Sequence, residues 1–441
     1  MIVQRETICA LATGAPPSAI SIIRLSGPSV IDITERVLSK GLPKPRFATL
    51  DKLIDSSGAE IDTGLMVFMP GPGSYTGEDT LELSLHGGRM VVELALKTLM
   101  EAGARLAEPG EFTRRAFEAG KLDLTRAEAV ADLIEAESES QHAQALKQMD
   151  GALAQTYESW RNDLTDCLAL LEASIDFPDE ADAPDRVDAP VSRNLLHLKD
   201  ALNDALSQGN ITERIRDGFC VVILGKPNAG KSTLLNRLAR REAAIVTEIP
   251  GTTRDIVEVR LVLGGYLVLL SDTAGIRDTD DFVEAEGVRR AVAARDNADL
   301  RIWLFDASEG FTETDHFIDG DILVANKSDL YPDVSVSRET LKISAKMDAD
   351  ISILETKIVE RLEERQALVS APLITRARHR QGIERGLAHI GKAQKMLKAG
   401  YGSELIAEEV RLAVRELSGL TGHVEVEAIL GAVFSSFCIG K

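Results

Sequence analysis

Residues 220–233, CVVILGKPNAGKST, carry Gly225, Gly230, Lys231 and Ser232 in the spacing G-x-x-x-x-G-K-S. Glycines at those positions let main-chain N–H groups wrap a chain of phosphates. The lysine reaches the β and γ oxygens, and the serine hydroxyl is placed to ligate Mg²⁺. Asn228, Ala229 and Thr233 fill out the same loop. A short apolar run precedes the motif and a helical pattern follows it, which is the context such a loop requires.

Four further segments follow in an order that suits the same chemistry. In GTTRD, Gly251 is followed by Thr252 and Thr253, where a hydroxyl can complete a Mg²⁺ shell and sense a γ-phosphate. The run YLVLLSDTAG ends on Asp272, which holds Mg²⁺ through water, and on Thr273, Ala274 and Gly275, whose glycine N–H reaches the γ-phosphate. Another strand-like run ends on Asn326, Lys327, Ser328 and Asp329. A carboxylate at 329 accepts both N1–H and the 2-amino group of guanine, which adenine cannot offer. A site built for such donors rejects the analogue that lacks them by about 10⁴ to 10⁵, so the expected nucleotide is GTP and not ATP. Ser344, Ala345 and Lys346 form the expected last loop over the base. Where Ras-like proteins use a glutamine to orient the attacking water, this chain has Ile276, which cannot hydrogen-bond. Water must be positioned from elsewhere. Glu284 is a candidate acid that, taken alone, reads as a solvated helix residue, and Asn228 reads equally as a cation ligand or as a turn-former beside Pro227.

The surrounding texture supplies the elements that must position these groups. Residues 1–121 alternate short β-branched runs with turn clusters such as PGPGSYTGED, as in a small α+β domain. Residues 122–215 are helical. Leu153, Tyr157, Trp160, Leu164, Cys167/Leu168, Leu171 and Ile175 recur every three to four positions, one buried stripe with Cys167 on it. The acidic stretch DFPDEADAPDRVDAP, 176–190, is expected to interrupt the helices. Residues 216–371 alternate strands with helices, the mark of a mostly parallel sheet, and 372–441 return to helix. The expected architecture is multidomain α+β and α/β: an N-terminal α+β domain, a helical central domain, and a Ras-like P-loop G domain inserted into it.

Composition narrows the partners. The 441 residues carry 50 Lys+Arg against 70 Asp+Glu, a net charge of −20, so non-specific binding to a polyanion is disfavoured. Aromatic residues make up 4%, too few for base-stacking platforms. Cys9, Cys167, Cys220 and Cys438 include no C-x-x-C pair, which fits a reducing compartment. The N-terminus lacks a signal-like apolar region, and no apolar run approaches the roughly 20 residues of a membrane span. A soluble, cytoplasmic protein is expected.

The stretches GEDTLELSLHGG, EPGEFTRRAF, KLDLTRAEAV, AAIVTEIPGTTRD and the terminal FSSFCIGK resemble the tRNA modification GTPases of the MnmE (TrmE) family along essentially the whole chain. The resemblance implies a K⁺-stimulated GTPase whose G domains dimerise across their nucleotide faces, the cation replacing an arginine finger. By position it implies K⁺ ligands at Asn228, Thr247, Ile249 and Thr252, with Glu248 and Pro250 in the same nucleotide-contacting loop. It also implies Mg²⁺ ligands at Ser232 and Thr253, and Glu284 as the catalytic acid acting through water. In residues 1–121, a folate-binding and dimerisation domain by the same likeness, Arg24, Glu82 and Lys121 match positions that bind 5-formyl- or 5,10-methylene-tetrahydrofolate. Lys441 of the tail is assigned with them. Arginine and lysine suit the folate carboxylates or ring carbonyl, and a carboxylate suits the pterin N–H edge; without the family, all three read as surface charges.

The resemblance further implies a homodimer joined by an FAD- and NADH-using MnmG (GidA) partner into a heterotetramer. Together they build the aminomethyl or carboxymethylaminomethyl group on C5 of the wobble uridine, position 34, of tRNA. The charge of −20 suggests that the partner, and not this chain alone, carries the RNA. A basic cluster at Arg376, Arg378, His379 and Arg380 reads either as an RNA contact or as a helix start facing solvent or the acidic helices. A ribosome-assembly GTPase acting as a nucleotide switch is the alternative, yet the segment after the G domain is helical and shows no KH-type module. A dimeric GTPase that only moves helices is a third reading.

The tail poses its own problem. CIGK does not match a prenylation box at its last two residues. Val426, Leu430, Val433/Phe434 and Phe437 continue a helical stripe with Cys438 on its edge, while Lys441 would favour a thiolate at Cys438 if the two approach. Cys438 is therefore a candidate catalytic thiol delivered to the folate-binding domain. His86 reads as a turn residue without a role.

Overall fold

The computed structural model describes residues 6–176, 184–241, 258–272, 295–309, 311, 317–337, 339–367, 373–423, 427–435, 437 and 440. The chain divides into two compact units, residues 1–131 with 418–441, and residues 132–417.

The first unit is built on a six-stranded sheet. Its strands are β1 (Ile8–Leu11), β2 (Ile20–Ser26), β3 (Thr49–Ile54), β4 (Glu60–Met69), β5 (Thr80–His86) and β6 (Arg105–Leu106), in the order β3-β4-β5-β2-β1-β6. Neighbours are antiparallel except β1 and β6. Period-two patterning sends Ile23, Leu25, Leu81 and Leu83 into a core with Val30 and Ile33 of α1 (Val30–Val37) and Ala95 and Leu99 of α2 (Arg89–Glu101). Arg24 and Glu82 therefore emerge on the other face. Helices α3 (Glu111–Glu118) and α4 (Leu124–Glu135) follow. A smaller apolar cluster joins Leu124, Ala127 and Ala131 to Leu430, Phe434 and Phe437 of the tail.

In the second unit α5 (Glu139–Met149), α6 (Ala152–Asp176) and α7 (Pro184–Asp217) lead into the strands. The expected stripe is real: Leu153, Tyr157, Trp160, Leu164, Cys167 and Leu171 are buried on α6. Burial pushes the Cys167 thiol up to about 11, as it does Cys9 in the first unit, so both are inert core groups at neutral pH. One expectation needs correction. Helix α7 starts at Pro184 and runs through Pro190, so the interruption does not extend to 190. Pro190, past the first turn, forfeits a main-chain hydrogen bond, but Val191, Leu195, Leu198 and Leu202 are buried along the same helix, and their packing outweighs that loss.

Strands β7 (Phe219–Leu224), β8 (Glu258–Leu263), β9 (Tyr266–Asp272), β10 (Leu300–Asp306), β11 (Ile322–Asn326) and β12 (Thr340–Lys342) form a second sheet, ordered β12-β11-β10-β7-β9-β8. All adjacent pairs are parallel except β8 with β9 at the edge. Val221 and Ile223 pack against Leu234 and Leu238 of α8 (Lys231–Arg241) in the large core. Val222 and Leu224 pack with Trp303 on the other face. Strands buried on both faces read as continuous apolar runs, which is why 219–224 contains no polar residue except Cys220. Helices α9 (Asp348–Gln366), α10 (Ala377–Lys398), α11 (Ser403–Thr421) and α12 (Glu427–Ser435) complete the chain, with α7 packed against both α6 and α10.

Candidate functional site

Parallel strands bring their C-terminal ends to one edge of a sheet, and ligands of such sheets bind beyond that edge. Here the phosphate loop follows β7, Asp272 ends β9, Asp306 ends β10 and Asn326 ends β11, with Ile223 in register with Asp272 and Asp306 with Asn326. Lys231, in the first turn of α8, is 6% exposed, and its ammonium donates to the carbonyls of Gly225 (2.7 Å) and Lys226 (2.9 Å). Asn228 adopts φ +66°, a left-handed conformation that asparagine tolerates better than most side chains. Gly230, at φ +101°, leaves no room for a side chain, because a Cβ there would stand 2.2 Å from Asn326 Nδ2. Asn228, Ser232 and Thr233 are exposed at the loop.

Asn326 ties this loop to the base-reading segments. It is buried, donates from Nδ2 to Ala229 O (2.7 Å) and accepts at Oδ1 from Ala345 N–H (2.9 Å). One side chain thus fixes the spacing between the phosphate loop and the 344–346 loop. Ser344 N–H donates to Asp350 (2.6 Å) and Ser328 N–H to Ile343 O (3.0 Å), while Asp329 is exposed. Lys327, at φ +66°, donates its ammonium to Asp306 (2.7 Å). That contact, with Ser308 N–H and hydroxyl, holds the Asp306 carboxyl down to about 2. Sequence reasoning passed over Asp306, although an aspartate closing a buried strand, LRIWLFD, was a legible signal.

Thr247, Glu248, Ile249, Pro250, Gly251, Thr252, Thr253, Thr273, Ala274, Gly275, Ile276 and Glu284 lie outside the described residues, as does the Asp272 side chain.

In the first unit Arg24 and Glu82 are direct cross-strand partners on β2 and β5, paired at 2.9 and 2.8 Å. The guanidinium lies 5.7 Å from the Tyr75 ring centre and 5.6 Å from that of Phe112. Burial raises the Tyr75 phenol above its ordinary range, against the hydrogen bond to Thr113. Lys121 is exposed at the end of α3, and its Cε would lie 3.7 Å from a Cβ at Gly77, in the turn that carries Tyr75. Arg24 and Glu82 thus share one polar and aromatic patch, and Lys121 lies beside Gly77, two residues on from Tyr75. Beside it runs a network absent from the expectations. Arg115, 4% exposed, donates to Glu78 (2.9 Å), Glu111 (2.8 Å) and Glu6 O (2.9 Å), and Arg105 grips both Glu111 oxygens. The i, i+4 spacing of Glu111 and Arg115 was the available clue.

The tail reaches β1: a Cβ at Gly440 would stand 2.0 Å from Leu11 O, so only glycine permits this approach. Phe434 and Phe437 are buried as the stripe predicts, whereas Val426, Cys438 and Lys441 lie outside the described residues. His86 closes β5, its N–H and Nδ1 both on the Asp62 carboxylate at 2.8 Å, so it is a strand end and not a free turn. The basic cluster proves to be a packed helix start. Arg376 pairs with Asp132 (2.6 Å), Arg380 with Glu213 (2.8 Å), and His379 is buried against the Tyr157 ring.

A G-x-x-x-x-G-K-S loop at one strand end and, two strands away, an Asn-Lys-Ser-Asp loop at another fit a P-loop protein of the GTPase class. The family model described as "GTP-binding protein TrmE N-terminus" matches residues 7–121, and "MnmE helical domain" matches 124–438. A tRNA modification GTPase MnmE of Hyphomonas neptunium is 54% identical over 99% of each chain. That of Maricaulis maris is 49% identical, again over 99% of each. Among solved structures, the G domain of the T. maritima FeoB iron transporter is 22% identical, covering 32% of this chain and 98% of its own, with TM-score 0.25. The chain belongs to the MnmE family of tRNA modification GTPases.

Proposed function

We propose that this protein hydrolyses GTP to drive modification of the wobble uridine of tRNA. The observation that carries the reading is Asn326. It locks a phosphate loop and a guanine-reading loop into one frame, within a chain that matches MnmE relatives from end to end. In this reading Asp329 recognises the base, Lys231 neutralises the β and γ oxygens, and Ser232, exposed at the first turn of α8, holds Mg²⁺ with Thr253. The helix N-terminus adds its partial positive charge to the phosphates. Ser344, Ala345 and Lys346 close over the base.

The cation reading rests on Asn228, whose exposed side chain sits at the left-handed bend of the phosphate loop. Its amide oxygen, with Thr247, Ile249 and Thr252, suits K⁺, which bound there would supply the positive charge of an arginine finger. Glu284 then orients the attacking water. Turnover of GTP by the full chain should be at least about tenfold faster in K⁺ than in Na⁺ at equal ionic strength, since a finger is worth 10³ or more. Equal rates in the two salts would remove the cation role and leave the nucleotide site intact.

For the first unit we infer a tetrahydrofolate site at Arg24, Glu82 and Lys121, with Tyr75 and Phe112 as its aromatic walls and Lys441 delivered by the tail. The pairing of Arg24 with Glu82 sets a donor group and an acceptor group side by side, which suits a flat ligand with donors and acceptors on one edge. Bound folate would supply the one-carbon unit. Cys438 is the candidate thiol of this reaction. A homodimer working with an FAD-dependent MnmG partner completes the proposal, that partner presenting the RNA to a chain of net charge −20.

The test is mass analysis of tRNA nucleosides from cells lacking this chain. The aminomethyl-type groups at C5 of the wobble uridine should disappear and return with the intact gene. Their persistence would overturn the reading. Complementation with Cys438→Ser divides the remaining question: full recovery assigns the cysteine to packing, and failure assigns it to the chemistry.

A further inference from the structure

Strand β10 ends beside the base-reading loop, and two of its terminal groups grip that loop from below. Ala307 N–H donates to Asn326 O (2.9 Å), and the Asp306 carboxylate accepts the Lys327 ammonium (2.7 Å). The other Asp306 oxygen takes Ser308 N–H (2.9 Å) and the Ser308 hydroxyl (2.7 Å), so the carboxylate cannot swing away. Lys327 holds a left-handed main chain, φ +66°, which a lysine does not choose unaided. Its carbonyl accepts from Leu330 N–H (2.9 Å), closing the turn that carries Asp329. The turn after β10 also reaches the phosphate loop, through Glu309 and Lys226 at 3.8 Å.

We infer that Asp306 is a positioning residue for guanine-nucleotide binding, acting through Lys327. With its ammonium docked on Asp306, the lysine stem is ordered before the nucleotide arrives, and the turn from Lys327 to Leu330 keeps the shape that presents the Asp329 carboxylate. Binding then spends less of its free energy on ordering a long side chain. The inference rests on the base-reading role of the 326–329 loop, and Asp306 itself touches no nucleotide.

The experiment is a double-mutant cycle in the full-length chain, read by titration with a fluorescent GDP and by steady-state GTP turnover. Asp306→Asn should weaken GDP binding and raise KM for GTP about tenfold while kcat falls less than about twofold. In a Lys327→Met background the same substitution should add less than about twofold. Asp306→Glu, which keeps the charge, should recover most of the lost affinity. An undiminished effect of Asp306→Asn in the Lys327→Met background, an equal loss in the Asn and Glu variants, or no loss in either would overturn the inference. The base-reading role fails separately: Asp329→Asn with unaltered guanine preference sinks that role whatever the Asp306 cycle shows.

Discussion

Asp329→Asn should turn a guanine-selective protein into a xanthine-selective one, with the GTP-to-XTP preference shifting on the order of 10⁴-fold. The carboxylate is an acceptor at both oxygens, matched to N1–H and the 2-amino group. An amide keeps one acceptor and gains a donor, which suits the 2-oxo group of xanthine and leaves the 2-amino group of guanine facing another donor. The effect is large because the mismatch places donor against donor in a closed contact, and unpaired groups there are costly. It should also be local. The side chain is exposed, and the loop keeps its shape through main-chain bonds, Ser328 N–H to Ile343 O and Leu330 N–H to Lys327 O. Competition binding with GDP and XDP checks it, with an unchanged melting temperature as the control. Retained guanine preference would remove Asp329 from the base contact.

The second large effect belongs to Arg115. Its guanidinium is almost wholly buried among Glu78, Glu111 and the Glu6 carbonyl. Removing one partner of a buried ionic cluster strands the others, at a cost of about 3–5 kcal/mol. Arg115→Met should fall toward the lower end, because Arg105 still grips both Glu111 oxygens at 2.8 and 2.7 Å. Hydrogen exchange of the β1 and β2 amides reads this unit apart from the rest of the chain; protection close to the wild-type level would refute it.

Acid should act through the same cluster. Burial opposes ionisation of Glu111, but Arg105, the Glu108 N–H and Arg115 outweigh it and hold the carboxyl at about 2, below its ordinary 4.5. A carboxyl lowered by folding contributes stability above its unfolded value and loses it as pH falls through the folded one. The first unit should therefore weaken between pH 4.5 and pH 2. In Arg115→Met the loss should be smaller and should end at a higher pH, because the folded carboxyl is then held less far below its unfolded value.

Much of the nucleotide site could be read in one dimension because its parts are local. A G-x-x-x-x-G-K-S loop needs its own glycines and the helix start that follows, so Gly225 to Ser232 carry their geometry in their spacing. The α6 stripe was legible for the same reason, since a helix repeats its buried face every three to four residues. The basic cluster at 376–380 was not: a run of arginines looks alike whether it faces RNA or carboxylates. Asp132 and Glu213, far away in the chain, decided it.

Local chemistry, then, was the sequence's own contribution: which loops can hold phosphate, which side chain can read guanine, and which helix faces seek a core. Distance along the chain is where it stopped. Asn326 meets Ala229 across 97 positions, and Arg24 meets Glu82 across 58. Neither meeting has any trace in spacing, because each is made by strands whose order in the sheet differs from their order in the chain. Even Pro190 shows this, since a residue that ends helices in isolation is carried inside α7, where buried neighbours hold the turn. Side-chain chemistry was written residue by residue, while the pairing of those chemistries depended on which strand ends the folded sheet set side by side.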